Sequence, residues 1–173
     1  GKYWPPDAPA QSFAPAVAPA SVIHPFFDPC VRIPLYRAAV GDEIVTTHHW
    51  SMDSLKLANV AQTRELLELL YLVPPMYHVS RATWPKREAR IVRHCGFWSP
   101  LHRKWGGAAL TEFDCLTYDR MVQRTRFRRG GDALTLTVNF DDSERIGLPP
   151  CSATALDSAS GESWTYVTSA PER

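Results

Sequence analysis

Cysteine is scarce in this sequence and widely dispersed: Cys30, Cys95, Cys115 and Cys151 stand far apart, with no CxxC pair. That spacing carries no zinc-finger or ribbon signature and neither demands nor forbids disulfides, so free thiols in a packed interior are expected. One-sided charge is lacking too. Nineteen Lys and Arg against 18 Asp and Glu leave a net charge of +1, which gives no electrostatic case for nucleic acid as a partner. No apolar run approaches the roughly 20 residues that span a bilayer, so no membrane segment is expected. The chain opens Gly1-Lys2-Tyr3-Trp4-Pro5-Pro6, with neither methionine nor an apolar leader core, as a processed or partial chain would. Signature motifs are missing as well. There is no GxSxG, no P-loop and no GxGxxG between a strand and a helix, so no cofactor and no metal site is expected.

Proline, by contrast, is plentiful and uneven. Residues 1–34 hold eight of the fifteen prolines, with many alanines between them. Proline fixes φ and removes a donor, which rules out a regular helix or central strand there. Val22-Ile23 and Phe26-Phe27 are apolar anchors that a free linker would not need, so this arm is expected to lie across another surface.

The stretch Arg32–Trp50 (RIPLYRAAVGDEIVTTHHW) has a concentration of chemistry. Its β-branched run predicts a strand through Ile44–Thr47. Polar and aromatic groups at the carboxyl end of a strand are where α/β architectures line ligand sites. Asp42, Glu43, His48, His49 and Trp50 are therefore candidates for a sugar-binding wall; the alternative is surface histidines beside a core tryptophan. Adjacent strand residues face opposite ways, so His48 and His49 are poor candidates for one metal, and Asp42 and Glu43 for one carboxylate pair.

Farther along, VAQTRELLELLYL predicts a helix over about 60–72, with Leu66, Leu67, Leu69 and Leu70 on a broad apolar arc and Arg64, Glu65 and Glu68 marking its polar side. Pro74-Pro75 end it, and Met76–Val79 is expected to form a short buried strand that brings Tyr77 and His78 to the same wall; a core tyrosine and a satisfied histidine are the alternative. A second helix begins at Trp84-Pro85, with Lys86, Arg87, Arg90 and Arg93 on an expected solvated face and Ser99-Pro100 interrupting it. From Leu116 the period becomes 2. Met121–Phe127 and Leu134–Phe140 flank a Gly-Gly turn as a hairpin, with Leu134, Leu136, Val138 and Phe140 buried and Thr135, Thr137 and Asn139 wet. Strands near Ser152–Leu156 and Ser163–Thr168 follow. Asp114 beside Cys115, and Asp141 beside Asp142, lie by turns, where Asp commonly bonds the backbone.

Several phrases in order resemble a known family: Pro34-Leu35-Tyr36, Leu69-Leu70-Tyr71 through Pro74-Pro75-Met76-Tyr77, Ser99-Pro100-Leu101-His102-Arg103, then LTYDRMVQRTRF, LTVNF and LPP (residues 148–150). Together, over Arg32–Pro150, they resemble bacterial glycoside hydrolases related to endo-α-N-acetylgalactosaminidase. The resemblance implies α/β plus all-β architecture: residues 32–110 the late strand–helix units of a (β/α)8-type barrel and 111–173 an antiparallel β-sandwich-like domain, preceded by residues 1–31, the proline-rich extended arm, which the resemblance does not cover. It also implies a carbohydrate substrate. Glycoside hydrolysis normally requires two carboxyl groups about 5–5.5 Å apart for retention, or roughly 6.5–9.5 Å for inversion. No residue here matches that pair, so no catalytic residue is assigned. The expected role is the C-terminal portion or small subunit of a glycosidase, contributing Asp42, His48, His49, Trp50, Tyr77 and His78 to the sugar pocket. The carboxylates are expected on an upstream barrel segment or a separate large chain. The alternatives are a non-catalytic carbohydrate- or protein-binding β module, and a structural subunit wrapping a partner.

Overall fold

Apolar residues at every second position from Leu134 to Phe140 force one side of the chain into a core, and the result is an antiparallel sheet. In a computed structural model of the chain, residues 27–47 and 53–168 are described. Their sheet comprises β1 (Ala109–Cys115), β2 (Val122–Arg129), β3 (Asp132–Asn139), β4 (Ser152–Asp157) and β5 (Ser163–Val167), each paired to the next in a meander. The β2–β3 turn is Gly130-Gly131, with Gly130 at φ 61°, a conformation that costs glycine little. In the hairpin, Phe127 lies opposite Leu134 and Thr125 opposite Leu136.

Ahead of the sheet the described residues form α1 (Leu35–Val40), α2 (Ala61–Leu70, entered through a 3-10 turn at Ala58–Val60) and α3 (Trp84–Trp105). α2 and α3 cover the apolar face of the sheet. Leu66, Leu69 and Leu70 of α2 meet Val138, Phe140 and Tyr166. Leu101 and Trp105 of α3 meet Phe127, Leu134 and Ala155. Each fully buried leucine contributes about 1.5–3 kcal/mol of transfer free energy, so these shared cores hold helices and sheet together. Thr125 adds a polar tie, its hydroxyl donating to the Leu70 carbonyl at 2.6 Å.

The predicted helices, hairpin and last two strands are present, as is the mixed helix-and-sheet class. Several expectations are corrected. Ile44–Thr47 is not a strand: the amides of Glu43 and Ile44 turn back to the Val40 carbonyl, and the chain runs on irregularly. Strand formers need a neighbouring strand to pair with, and none lies there among the described residues. Met76–Val79 is likewise no strand; Met76 exchanges hydrogen bonds with Ser54, and no ladder follows. Hence no strand among the described residues precedes Ala109, and the region of expected strand–helix units is represented by its helices. Pro100 does not interrupt α3, because burial of Leu101 and Trp105 carries the helix past the missing hydrogen bond. Asn139 is buried rather than wet, its amide donating to the carbonyls of Ser143, Leu148 and Pro149. β1 was not predicted at all. The layer opposite the sheet is helical, and the described residues hold no second sheet. None of the described helices is long and apolar enough to cross a membrane.

Candidate functional site

The segment that carried most of the predicted site packs through one side chain. Arg37, midway along the short α1, turns inward and is 5% exposed. Its guanidinium donates to the carbonyls of Tyr71 (3.3 Å), Gly106 (3.1 Å) and Ala108 (3.1 Å) and lies 5.0 Å from the centre of the Phe127 ring. Burial lowers its proton affinity, partly offset by Asp42 nearby. Gly41 makes the packing possible, since a Cβ there would collide with both the guanidinium and the Arg37 carbonyl. Beside this anchor opens a cleft of about 240 Å³ walled by Arg32, Tyr36, Arg37, Thr46, Thr47 and Tyr71. The Arg32 guanidinium sits 5.7 Å from the centre of the Tyr71 ring. Burial pushes the Tyr71 phenol up, with Arg32 opposing, so it stays protonated as a hydroxyl. Guanidinium, hydroxyl and phenol groups along one wall suit a hydroxylated ligand.

Asp42 and Glu43 stand exposed on the turn after α1. The described chain reaches Thr47 on the rim of the cleft; His48, His49 and Trp50 lie outside the described residues. Tyr77 and His78 lie elsewhere, against α3. Tyr77 packs with Leu55, Ala61 and Ile91. The Arg87 guanidinium donates to the His78 carbonyl at 3.3 Å. Among the described residues neither lines the cleft beside Arg37.

Tyr77 instead enters a buried polar network between α2 and α3, which the sequence reading missed. Its hydroxyl donates to Nδ1 of His94 at 2.5 Å. Desolvation drives the His94 pKa down to about 3, so the imidazole is neutral and Nδ1 accepts. At 4.0 Å from an uncharged ring, Glu68 forms no ion pair with His94. Glu68 accepts from Ser54 (2.7 Å) and Arg64 (3.2 Å), and burial pushes its carboxyl up to about 7 against those partners. Glu65 is also raised by burial, opposed by Arg90; it accepts from Arg90 at 2.5 Å and from the Tyr166 hydroxyl at 3.2 Å. Arg87 pairs with Asp53. The polar side expected for α2 and half the basic face expected for α3 are thus turned toward each other. One signal was available: acids at Glu65 and Glu68 on one helix are matched by Arg87, Arg90 and His94 at similar spacing on the next.

Neither Glu65 nor Glu68 can reach a substrate, being 0% and 1% exposed. Other carboxylates are engaged as well. Asp114 pairs with Arg124 at 2.8 Å, Asp141 with Arg145 at 2.5 Å, and Asp157 with Lys104 at 2.6 Å. Cys30, Cys95, Cys115 and Cys151 are free thiols, and no group of three metal-ligating side chains occurs among the described residues. Compared with known families, residues 1–126 match the one described as glycosyl hydrolases related to GH101 family, GH129. No curated protein matches the chain.

Proposed function

Because the chain belongs to GH129, the glycosyl hydrolases related to GH101, we propose that it is the C-terminal portion or small subunit of a glycoside hydrolase. In this reading α2 and α3 are late helices of a (β/α)8-type barrel and the sheet is the β domain that follows. The cleft beside Arg37 supplies part of the sugar pocket, to which His48, His49 and Trp50 also contribute ligand contacts, while the catalytic carboxylates come from an upstream segment or a partner chain. One observation carries it: the family is that of a two-carboxylate chemistry, yet no described cleft has two unengaged carboxylates. The Arg37 cleft has none on its wall. The one beside Phe113 has Glu112, tied to Arg126 and Arg128. The one between α3 and β4–β5 has Glu162 together with an engaged Asp157.

The apolar surface of residues 31–45 supports a partner. Val31, Ile33, Leu35, Tyr36, Ile44 and Val45 are between 48% and 70% exposed. Such clustering marks an interface more often than a solvated surface. The test is hydrolysis of 4-nitrophenyl α-N-acetylgalactosaminide by the chain alone and by the chain expressed with its upstream region, with solution size measured for both. Turnover is expected only from the larger species. Sustained turnover by the purified chain, or an upstream region supplied as a separate chain that fails to associate with it, would overturn the proposal. Trp50→Ala should weaken substrate handling in the active species more than it destabilises it; unfolding with unaltered affinity in the folded fraction would make Trp50 a core residue.

A further inference from the structure

The turn from β1 to β2 holds an arginine where glycine is the easier choice. Arg120 has φ 60°, in the left-handed region that a Cβ disfavours. A strained backbone of this kind points to a task for the side chain it carries. That side chain turns back on the strand it follows, its Nε donating to the Cys115 sulfur at 3.3 Å. Cys115 is the last residue of β1 and is exposed.

A second thiol reaches the same turn from far away in the chain. The Cys30 sulfur donates to the carbonyl of Asp119, the residue before Arg120, at 3.1 Å and lies 3.7 Å from the Met121 sulfur. The buried Gln123 amide holds the two stretches together, donating to the carbonyls of Pro29 and Arg120 at 2.8 Å each. Gln123 lies opposite Cys115 in the β1–β2 ladder, and paired strand residues project to one face. The sulfurs of Cys30 and Cys115 therefore contact consecutive residues of one turn. The Arg120 guanidinium feels both: its hydrogen bond to Cys115 raises its proton affinity most, and Cys30 adds to it. Burial, helped by Asp28, pushes the Cys30 thiol up, which leaves Cys115 to react first. The other two thiols have different surroundings. Cys95 packs against Leu55, Ala61 and Ile91, and the Cys151 sulfur sits by the carbonyls of Phe140 and Asp141.

We propose that Cys115, with Arg120 against its sulfur, is a site of oxidation by peroxide, and that Cys30 closes the oxidised product to an intramolecular disulfide. Exposure and a cation beside the sulfur are the marks of a peroxide-reactive cysteine, and a second thiol at hand keeps the product reversible. The Cys115 sulfur attacks one peroxide oxygen; the S–O bond forms as the O–O bond breaks, and the departing hydroxide takes the thiol proton to become water. The Cys30 sulfur then attacks the sulfenic sulfur; the S–S bond forms, the S–O bond breaks, and the second hydroxide leaves as water with the Cys30 proton. The pair of thiols is oxidised and the peroxide reduced to water. Residues 28–33 lead into α1, so the new bond ties the entry to that helix to the end of β1.

The experiment treats the reduced, full 173-residue chain with hydrogen peroxide, caps the remaining thiols with iodoacetamide and maps the cysteines by mass spectrometry. The expected product is a single chain with Cys30 and Cys115 in one linked peptide and with Cys95 and Cys151 capped. In Cys30→Ser the sulfenic acid should persist at Cys115, where dimedone traps it, and Cys115→Ser should leave Cys30 a thiol. Arg120→Gly adopts the left-handed turn without strain and removes only the guanidinium. It should keep the fold yet slow oxidation of Cys115 about tenfold, which separates loss of the site from loss of the protein. The proposal is overturned if peroxide forms no Cys30–Cys115 bond, if dimedone finds no sulfenic acid at Cys115 in Cys30→Ser, or if Arg120→Gly oxidises at the wild-type rate. Hydrolysis enters none of these readouts, so they stand apart from the proposed hydrolase role.

Discussion

Replacing Arg37 with Met keeps most of the buried stem and deletes the guanidinium. Three carbonyls, those of Tyr71, Gly106 and Ala108, then lose their donor in a place solvent barely reaches. Hydrogen bonds to a charged group contribute about 1.5–3 kcal/mol each, but these are long, and two share one nitrogen. Removing a desolvated cation returns part of the loss. We expect a net destabilisation of about 3 kcal/mol. With a urea slope near 2 kcal/mol/M, the midpoint falls by roughly 1.5 M. Gly41→Ala attacks the same packing from the other side, because its methyl would occupy the space of the guanidinium. Part of its cost comes from the Arg37 carbonyl and from the stem that methionine keeps, and persists; the part set by the guanidinium exists only while the arginine is present. The double variant should therefore lose less than the sum of the singles, a coupling that urea unfolding of all four proteins measures. Strict additivity, or a loss below about 1 kcal/mol for Arg37→Met, would refute the anchor.

The buried network gives opposed pH dependences. Glu68, raised to about 7, contributes stability that is complete below its ordinary value and lost as pH rises through 7, whereas His94, lowered to about 3, contributes stability that is complete above its ordinary value and lost as pH falls through 3. Between about pH 4.5 and 6.5 the two slopes oppose each other, with Glu65, also raised by burial, adding to the fall, so Glu68→Gln should turn the stability profile upward with pH across that window, by up to about 1.4 kcal/mol per pH unit in urea unfolding. An unchanged profile would remove Glu68 from the balance. Tyr77→Phe should cost about 1–2 kcal/mol by leaving Nδ1 of His94 without its donor; a large fall in activity at unchanged stability would instead return Tyr77 to the sugar wall. Asn139→Ala should free the loop 141–150 from three carbonyl contacts, seen as accelerated amide exchange there, and unchanged exchange would deny it that role.

What could be read from the sequence followed periodicity. The leucine arc of α2 and the alternation through β2 and β3 survive folding because each buries one face. β1 hid because its register shifts between Leu110 and Glu112, which breaks the period of two just where the pattern would be counted. The strand expected at Ile44–Thr47 failed for the opposite reason: the residues favour a strand, but nothing pairs with them. Glu65, Glu68, Arg87 and Arg90 were assigned to wet faces because amphipathic patterning treats a charge as outward. Their burial depends on one helix meeting the other, a tertiary fact no single window contains. Arg37 had no signal beyond a glycine four residues on. Of the candidate wall, the surroundings of Asp42, Tyr77 and His78 are described, and His48, His49 and Trp50 are not.

The chain distributes polarity against the usual rule. Between α2 and α3 it buries two glutamates, three arginines and a histidine, where apolar side chains of similar size would often hold two helices as well. Over residues 31–45 it exposes six large apolar side chains. The first feature fixes which helix faces meet, because any other pairing would leave several of these charges buried without partners. The second cannot stabilise an isolated chain, since apolar area left in water contributes nothing to folding. A rigid helix pair behind an apolar rim is what the proposed assembly needs. The cleft lies on that rim, with Tyr36 and Arg37 of α1 in its wall, so a surface that docked on α1 would also border the cleft. On this reading the sugar pocket is completed by assembly, and Arg37, which seats α1 on the core, links the stability of the chain to the geometry of the pocket.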